Sequence, residues 1–202
     1  MSVQKTLLHI GCGPKRKAQT TAGFNTAAWQ EIRLDIDPSA VPDVIGTMTD
    51  MGAVAENSVH AIFSSHNIEH LYPHEVPIAF AEFRRVLTND GFAVITCPDL
   101  QPVAQLIAED KLTDAAYVSP AGPITPLDIL FGHKASMAAG NLFMAHRCGY
   151  TKKVLMGTLQ AAGFKKIAAM ARPAQFDLWA IASKSDRPDN EMYELARLHF
   201  PQ

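Results

Sequence analysis

Thr6-Leu7-Leu8-His9-Ile10-Gly11-Cys12-Gly13-Pro14 decides how this chain is read. A short apolar run without a formal charge reads as a strand buried on both faces. It stops at Gly-x-Gly, where two glycines permit a tight turn and let a ligand lie against bare backbone. Gly-x-Gly alone recurs at many strand ends. What gives it weight is Asp35, 22 residues beyond Gly13, closing the next strand-like run, Ile32 to Asp35. In dinucleotide-type folds an acid about 20 residues past the turn accepts hydrogen bonds from ribose hydroxyls. Taken alone, Asp35 would be a turn or cap residue ahead of Pro38. Taken with the glycines, it points to an adenosine-bearing ligand.

Outward from this pair, strand-like and helix-like runs alternate, the pattern of a parallel sheet with helices on its faces. Further strands are expected at 43–46, at Ala61 to Ser65 and at Phe92 to Cys97. A weak helix is expected at Thr20 to Trp29. A stronger one has Pro73 in its first turn, Val76, Phe80, Phe83 and Leu87 on one face, and Asn89-Asp90-Gly91 as its stop. Thr151 reads as an N-cap for a helix carrying Leu155, Leu159 and Ala162, stopped at Gly163-Phe164. Lys165 to Ala171 and Phe176 to Ser183, turning at Arg172-Pro173, would form an antiparallel edge hairpin. Met192, Leu195 and Leu198 suggest a last amphipathic helix. The stretch from about 112 to 149 breaks the rhythm with Pro120, Pro123 and Pro126. Thr125-Pro126 would open a short helix there that Gly132 ends. The expected architecture is one α/β domain over 1–202, three-layered and Rossmann-like. Its seven-strand sheet is mostly parallel, and a lid-like insertion lies at about 112–149.

Composition narrows the function classes. Of 202 residues, 48% are apolar and 19% charged, which suits a globular domain and argues against disorder. The net charge of -2 offers no bulk attraction to a polyanion, so nucleic acid is a disfavoured partner. No apolar run reaches the ~18 residues of a membrane helix, and the N-terminal one is too short for a secretory signal. A cytoplasmic protein is therefore expected. Its three cysteines, Cys12, Cys97 and Cys148, read as reduced, mostly buried side chains.

Several ordered segments resemble the class I S-adenosylmethionine (SAM)-dependent methyltransferases of the small-molecule, type 11 kind. Leu7 to Gly13 resembles the family's first motif, and Leu34-Asp35-Ile36-Asp37-Pro38 its second. Asp43 to Met51 resembles the segment framing adenine, and Asn57 to Leu71 the fourth-strand motif. Glu82 to Gly91 and Gln160 to Phe164 resemble later landmarks. The resemblance implies a seven-strand methyltransferase fold, SAM as cofactor, S-adenosylhomocysteine (SAH) as product, and a small-molecule acceptor. It places Gly11, Cys12 and Gly13 at the methionine part and ribose, and Asp35 at the ribose hydroxyls. Ile36, Thr47 and Met48 fall beside adenine, and Ser65 and His66 beside the methionine end. The chain departs from the family pattern at His9, at Pro14-Lys15 in place of a third glycine, at Thr47 and at His60. Lys15-Arg16-Lys17 either face the SAM carboxylate or form a solvated loop.

Methyl transfer asks little of side-chain identity, because the sulfonium is already a strong donor. The protein aligns nucleophile, carbon and sulfur and keeps water out. A base is needed only for an acceptor that holds its proton. His66 and His146 are the candidate catalytic residues, with Asn67, His133 and Tyr150 nearby in sequence or in the insertion. His66-Asn67-Ile68-Glu69-His70 also matches a zinc-protease pattern. Here it directly follows an apolar strand, and the methyltransferase-like order accounts for it, so no metal is expected. The other rivals are a SAM-binding module without catalysis and a nicotinamide-dependent oxidoreductase, the latter weakened by the incomplete G-x-G-x-x-G.

Overall fold

The computed structural model describes residues 4–202. Chain order gives β1 (Lys5–Ile10), β2 (Trp29–Asp35), β3 (Val44–Ile45), β4 (Val59–Ser65), α1 (Val76–Val86), β5 (Leu87–Pro98) and α2 (Leu100–Ala108). Next come β6 (Tyr117–Ser119), β7 (Gly122–Ile124), α3 (Pro126–Phe131), α4 (Lys134–Ala138), α5 (Lys152–Ala161), β8 (Lys166–Arg172), β9 (Asp177–Ser183) and α6 (Asp189–His199). Seven strands form one sheet in the order β3-β2-β1-β4-β5-β9-β8, and β6 pairs with β7 in a separate hairpin. The first five sheet strands run parallel; β9 runs antiparallel to both β5 and β8. The expected edge hairpin is thus present, with the reversed strand one place in from the edge.

The sheet's two faces follow from the two-residue period of its strands. Leu8 and Ile10 of β1 and Ile62 of β4 point to one side. There they pack against Val76, Phe80 and Phe83 of α1 and Leu155 and Leu159 of α5. Leu7, Ala61 and Phe63 point to the other side, against Phe24, Trp29 and Met192. Burial on both faces is why these strands read as unbroken apolar runs. The expected Thr125 start is present: its side chain accepts from the Asp128 N–H, and Asp128 answers at the Thr125 N–H. Thr151 caps α5 as expected.

Four local expectations are corrected. Residues 20–28 form turns, not a helix; a run of Thr, Gly and Asn favours turns, and buried Phe24 anchors the segment from below. α1 begins at Val76, so Pro77, not Pro73, occupies its first turn. That helix stops at Val86 and passes straight into β5, so Asn89-Asp90-Gly91 lies in the strand, beside a register shift between Val59 and Ala61. In α6, Leu198 is exposed and His199 takes the inward position.

Candidate active site

Chain order reverses between β1 and β4, since β2 and β3 build outward on one side and β4 and β5 on the other. In open α/β sheets the carboxyl ends at such a reversal form a ligand crevice. A cleft of about 640 Å³ lies there, walled by Gly11 and Gly13 after β1, Asp35 and Ile36 after β2, and Ser65 and His66 after β4. Thr47 and Met48, beyond β3, complete one end. Of the nine residues expected to hold a cofactor, only Cys12 is absent from the wall. Its side chain is turned into the core, and burial pushes the thiol up to about 11.

The turn after β1 is built around its ligand-facing backbone. Gly11 and Gly13 both have positive φ, +58° and +50°. A Cβ on Gly11 would strike the Asn67 side chain, 2.0 Å from its Oδ1, whereas one on Gly13 would enter open space. Asn67 Nδ2 donates to the Ile10 carbonyl at 2.9 Å, tying the end of β1 to the end of β4. The Gly13 N–H donates to Asp35 Oδ2 at 2.7 Å, and the Asp37 N–H to Oδ1 at 2.9 Å. Asp35 is thereby fixed at the cleft with both oxygens aimed by backbone donors. Each oxygen keeps a lone pair for a ligand hydroxyl.

Arg33 was not among the expected site residues, yet it organises this end of the cleft. It is 1% exposed. Its guanidinium donates to the carbonyls of Lys15 (3.1 Å), Val41 (2.7 Å), Ala40 (3.0 Å) and Gly13. One planar fork thus joins the loop after β1 to the loop after β2. Val41 holds a left-handed backbone there, φ +49°, costly for a β-branched residue. The signal was present in sequence: an arginine amid the buried alternation Ile32-Arg33-Leu34 must find partners.

The basic trio does not face the cleft. Lys17 Nζ donates to the carbonyls of Thr26 (2.8 Å) and Trp29, while Lys15 and Arg16 are exposed. His9 pairs with Glu31 at 2.8 Å, away from the cleft, and burial lowers its pKa. Thr47 Oγ1 meets Thr49 Oγ1 at 2.9 Å at the cleft's far end, and the His60 Nδ1 accepts from the Thr6 N–H.

His66 has a left-handed backbone, φ +54°, its N–H bound to the Thr96 carbonyl at 2.9 Å. Its ring stands half-exposed at the cleft, with Nδ1 3.4 Å from Glu69 Oε1. Burial works against a charge on this ring, but the Glu69 carboxylate outweighs it and raises the pKa. Ser65 Oγ shares a hydrogen bond with Thr96 at 2.8 Å.

His146 departs from its expected role. It does not line the cleft; its Nδ1 donates to the Ile129 carbonyl at 2.7 Å, its ring packs on His70, and burial lowers its pKa. His133 is turned to Ser136 Oγ at 2.8 Å, and Tyr150 is buried beside Cys148. From the insertion it is Asn141, Phe143, Met144 and Arg147 that reach the cleft. Proline spacing in the sequence carried no signal for them.

A mostly parallel seven-strand sheet with an inset reversed strand, and an acid-braced glycine turn at its carboxyl ends, define the class I methyltransferase fold. Residues 8–95 match the family model of the methyltransferase domain. Over that span, β1 into β5, the chain is similar to that domain, and the match together with the fold supports an enzyme that takes its methyl group from SAM.

Solved structures share the fold. A 1,6-didemethyltoxoflavin-N1-methyltransferase of Burkholderia thailandensis, bound to 1,6-didemethyltoxoflavin and SAH, superposes with TM-score 0.56. It is 16% identical, over 91% of this chain and 72% of its own. A SAM-dependent methyltransferase of Archaeoglobus fulgidus gives TM-score 0.58 at 13% identity, over 90% and 86%. One of Methanosarcina mazei gives 0.56 at 16%, over 91% and 94%. No curated protein matches the chain in sequence. Among the described residues no helix is long and apolar enough to cross a membrane.

Proposed function

We propose that this chain methylates a small-molecule acceptor, with SAM lying across the carboxyl ends of β1, β2 and β4. The observation that carries the proposal is the Gly13–Asp35 hydrogen bond at the cleft wall, which aims a carboxylate where ribose hydroxyls would lie. In this reading Gly11 and Gly13 offer backbone to the methionine part and ribose, while Cys12 holds the turn between them: its N–H donates to the Leu34 carbonyl at 3.3 Å and its carbonyl accepts from the Lys15 N–H at 3.0 Å. Ile36, 43% exposed in the cleft, gives adenine an apolar surface, with Thr47 and Met48 on its border. Ser65 and His66 flank the methionine end, and His66, half-exposed in the cleft, would meet an acceptor.

Segment 112–149 acts as the lid of this single domain. Its Phe143 and Met144 line the cleft, and closing them over a bound acceptor would shut out water. A cleft of about 640 Å³ falls within the range of small-molecule and cofactor sites. A fold neighbour holding both 1,6-didemethyltoxoflavin and SAH is in keeping with a small-molecule acceptor. Three unpaired thiols suit a reducing, cytosolic compartment.

Calorimetric titration with SAH and with NAD tests the reading first. SAH is expected to bind and NAD is not; the reverse would make the cleft that of an oxidoreductase. Methyl-labelled SAM offered with a panel of small acceptors then separates an enzyme from a SAM-binding module. Label transferred to an acceptor supports the proposal, and SAH binding with no turnover across the panel favours the module.

A further inference from the structure

A second cluster of side chains lies behind the cleft wall, in the 3-10 turn Ile68–His70 that follows β4 and at the end of the 112–149 segment. Glu69 is 1% exposed, yet neither carboxylate oxygen has a hydrogen-bond partner. His66 Nδ1, at 3.4 Å, makes only a loose charge contact with it. A bare buried carboxylate is costly unless something positive meets it.

Two imidazoles face the same carboxylate. The His70 and His146 rings lie 4.9 Å apart, and one ligating atom from each of Glu69, His70 and His146 falls within 4.8 Å of the others. The backbone fixes both tautomers. His70 Nδ1 lies 3.1 Å from the Ala145 carbonyl and His146 Nδ1 2.7 Å from the Ile129 carbonyl. A carbonyl only accepts, so each Nδ1 carries and donates a proton, and each neutral ring keeps its lone pair on Nε2. Beyond the loose His66 contact, the three groups each offer a lone pair and none offers a free donor, a set suited to a cation.

We propose that Glu69, His70 and His146 bind one divalent transition-metal ion, with Zn²⁺ the expected occupant. Two imidazole nitrogens and a carboxylate are a recurrent three-ligand zinc set that leaves a fourth position for water or an acceptor oxygen. An Nδ1–H anchored on a carbonyl is the usual outer support of a metal-bound histidine. In a tetrahedral zinc site the ligand atoms stand about 3.3 Å apart. The present spread of up to 4.8 Å therefore closes through modest side-chain rotation on loading. His70 also lines the cleft, so the ion would sit at its wall and tie the end of the insertion to the body of the sheet. His66, the first histidine of the His66-to-His70 pattern, is not a member; the second imidazole of the set is that of His146, 76 residues beyond His70. The donors stand independently of methyl transfer.

The chain is stripped with chelator, then titrated with Zn²⁺ by calorimetry and with Co²⁺ by visible absorption. Saturation at one ion per chain, with the d–d bands of a four-coordinate site, is expected. His146→Asn and Glu69→Gln should each weaken binding by about 100-fold or more, since even outer partners cost 10–100-fold. His133→Asn, in the same insertion but outside the cluster, should bind as the parent does. Cooperative thermal unfolding of each variant identifies any that fails to fold, and His70→Asn then replaces it. No saturable uptake by the parent chain, or parental affinity in folded His146→Asn and His70→Asn, would overturn the proposal. Zn²⁺ binding without SAH binding would leave the metal site standing and remove the methyl-transfer reading; the converse result would do the opposite.

Discussion

The backbone N–H of Gly13 donates to Asp35 Oδ2 at 2.7 Å, across the carboxyl ends of two neighbouring strands. One bond therefore shapes the turn and aims the acid. Asp35 cannot swing away without releasing the Gly13 backbone, and Gly13 cannot shift without disturbing the carboxylate. Binding geometry and local stability are coupled at this point, and variants around it should separate the two effects.

The two glycines differ in what surrounds them. Gly11→Ala brings a methyl group to 2.0 Å from Asn67 Oδ1, at φ +58°, so it should cost about 3 kcal/mol of folding stability. Gly13→Ala meets no neighbour and should cost only about 1–2 kcal/mol, for its left-handed backbone. Gly13 lines the cleft, so SAH affinity should fall further than stability. Urea unfolding and SAH calorimetry on the pair check this; equal stability losses would contradict it.

Arg33 holds two loops through backbone carbonyls alone. Arg33→Met should lose about 3 kcal/mol or more, because buried carbonyls forfeit charged donors. Arg33→Lys keeps the charge without the planar fork and should fall between the parent and Arg33→Met. SAH affinity should track the same order, since the Gly13 loop is one of the two held. A parental SAH affinity in Arg33→Met would show that the loops hold themselves.

His199 should give the fold a pH dependence, through its burial as a neutral ring. Its ring is 3% exposed, packed 4.2 Å from the Phe24 ring, with Nδ1 at 2.7 Å from Thr21 Oγ1. Burial lowers its pKa from 6.5 to about 4. Between those values the unfolded chain binds the proton and the folded chain does not, so stability falls as the pH drops through this window. Below about 4 the group takes nothing further. The full loss is about 3 kcal/mol. Urea unfolding at about pH 7 and about pH 4.5 should show a steeper decline in the parent than in His199→Gln. Parallel declines would contradict the assignment.

What the sequence revealed and what it hid divide along physical lines. β1, β4 and the core of β5 were legible because strands buried on both faces are mostly apolar, and the glycine turn because the chain needs positive φ there; of β2 only Ile32 to Asp35 was legible, since Gln30 and Glu31 break the apolar run. Eight of nine cofactor positions reach the cleft because each sits at a strand end, which topology alone directs to one edge. The turns at 20–28 were misread because the buried residues at this place, Phe24 and Trp29, serve an aromatic cluster formed with distant parts of the chain and not a helix face. Arg33, Glu69 and the cleft face of the insertion depend on contacts far apart in the chain, such as His70 with His146, which no local period encodes.

The central claim is that Asp35 grips the ribose of a bound SAM. Calorimetric titration of the parent and Asp35→Ala with SAH tests it most directly. The account predicts a loss of about 1.5–3 kcal/mol, the scale of hydrogen bonds to a charged group, or roughly 10- to 150-fold in Kd. An unchanged Kd in a folded Asp35→Ala protein would contradict it.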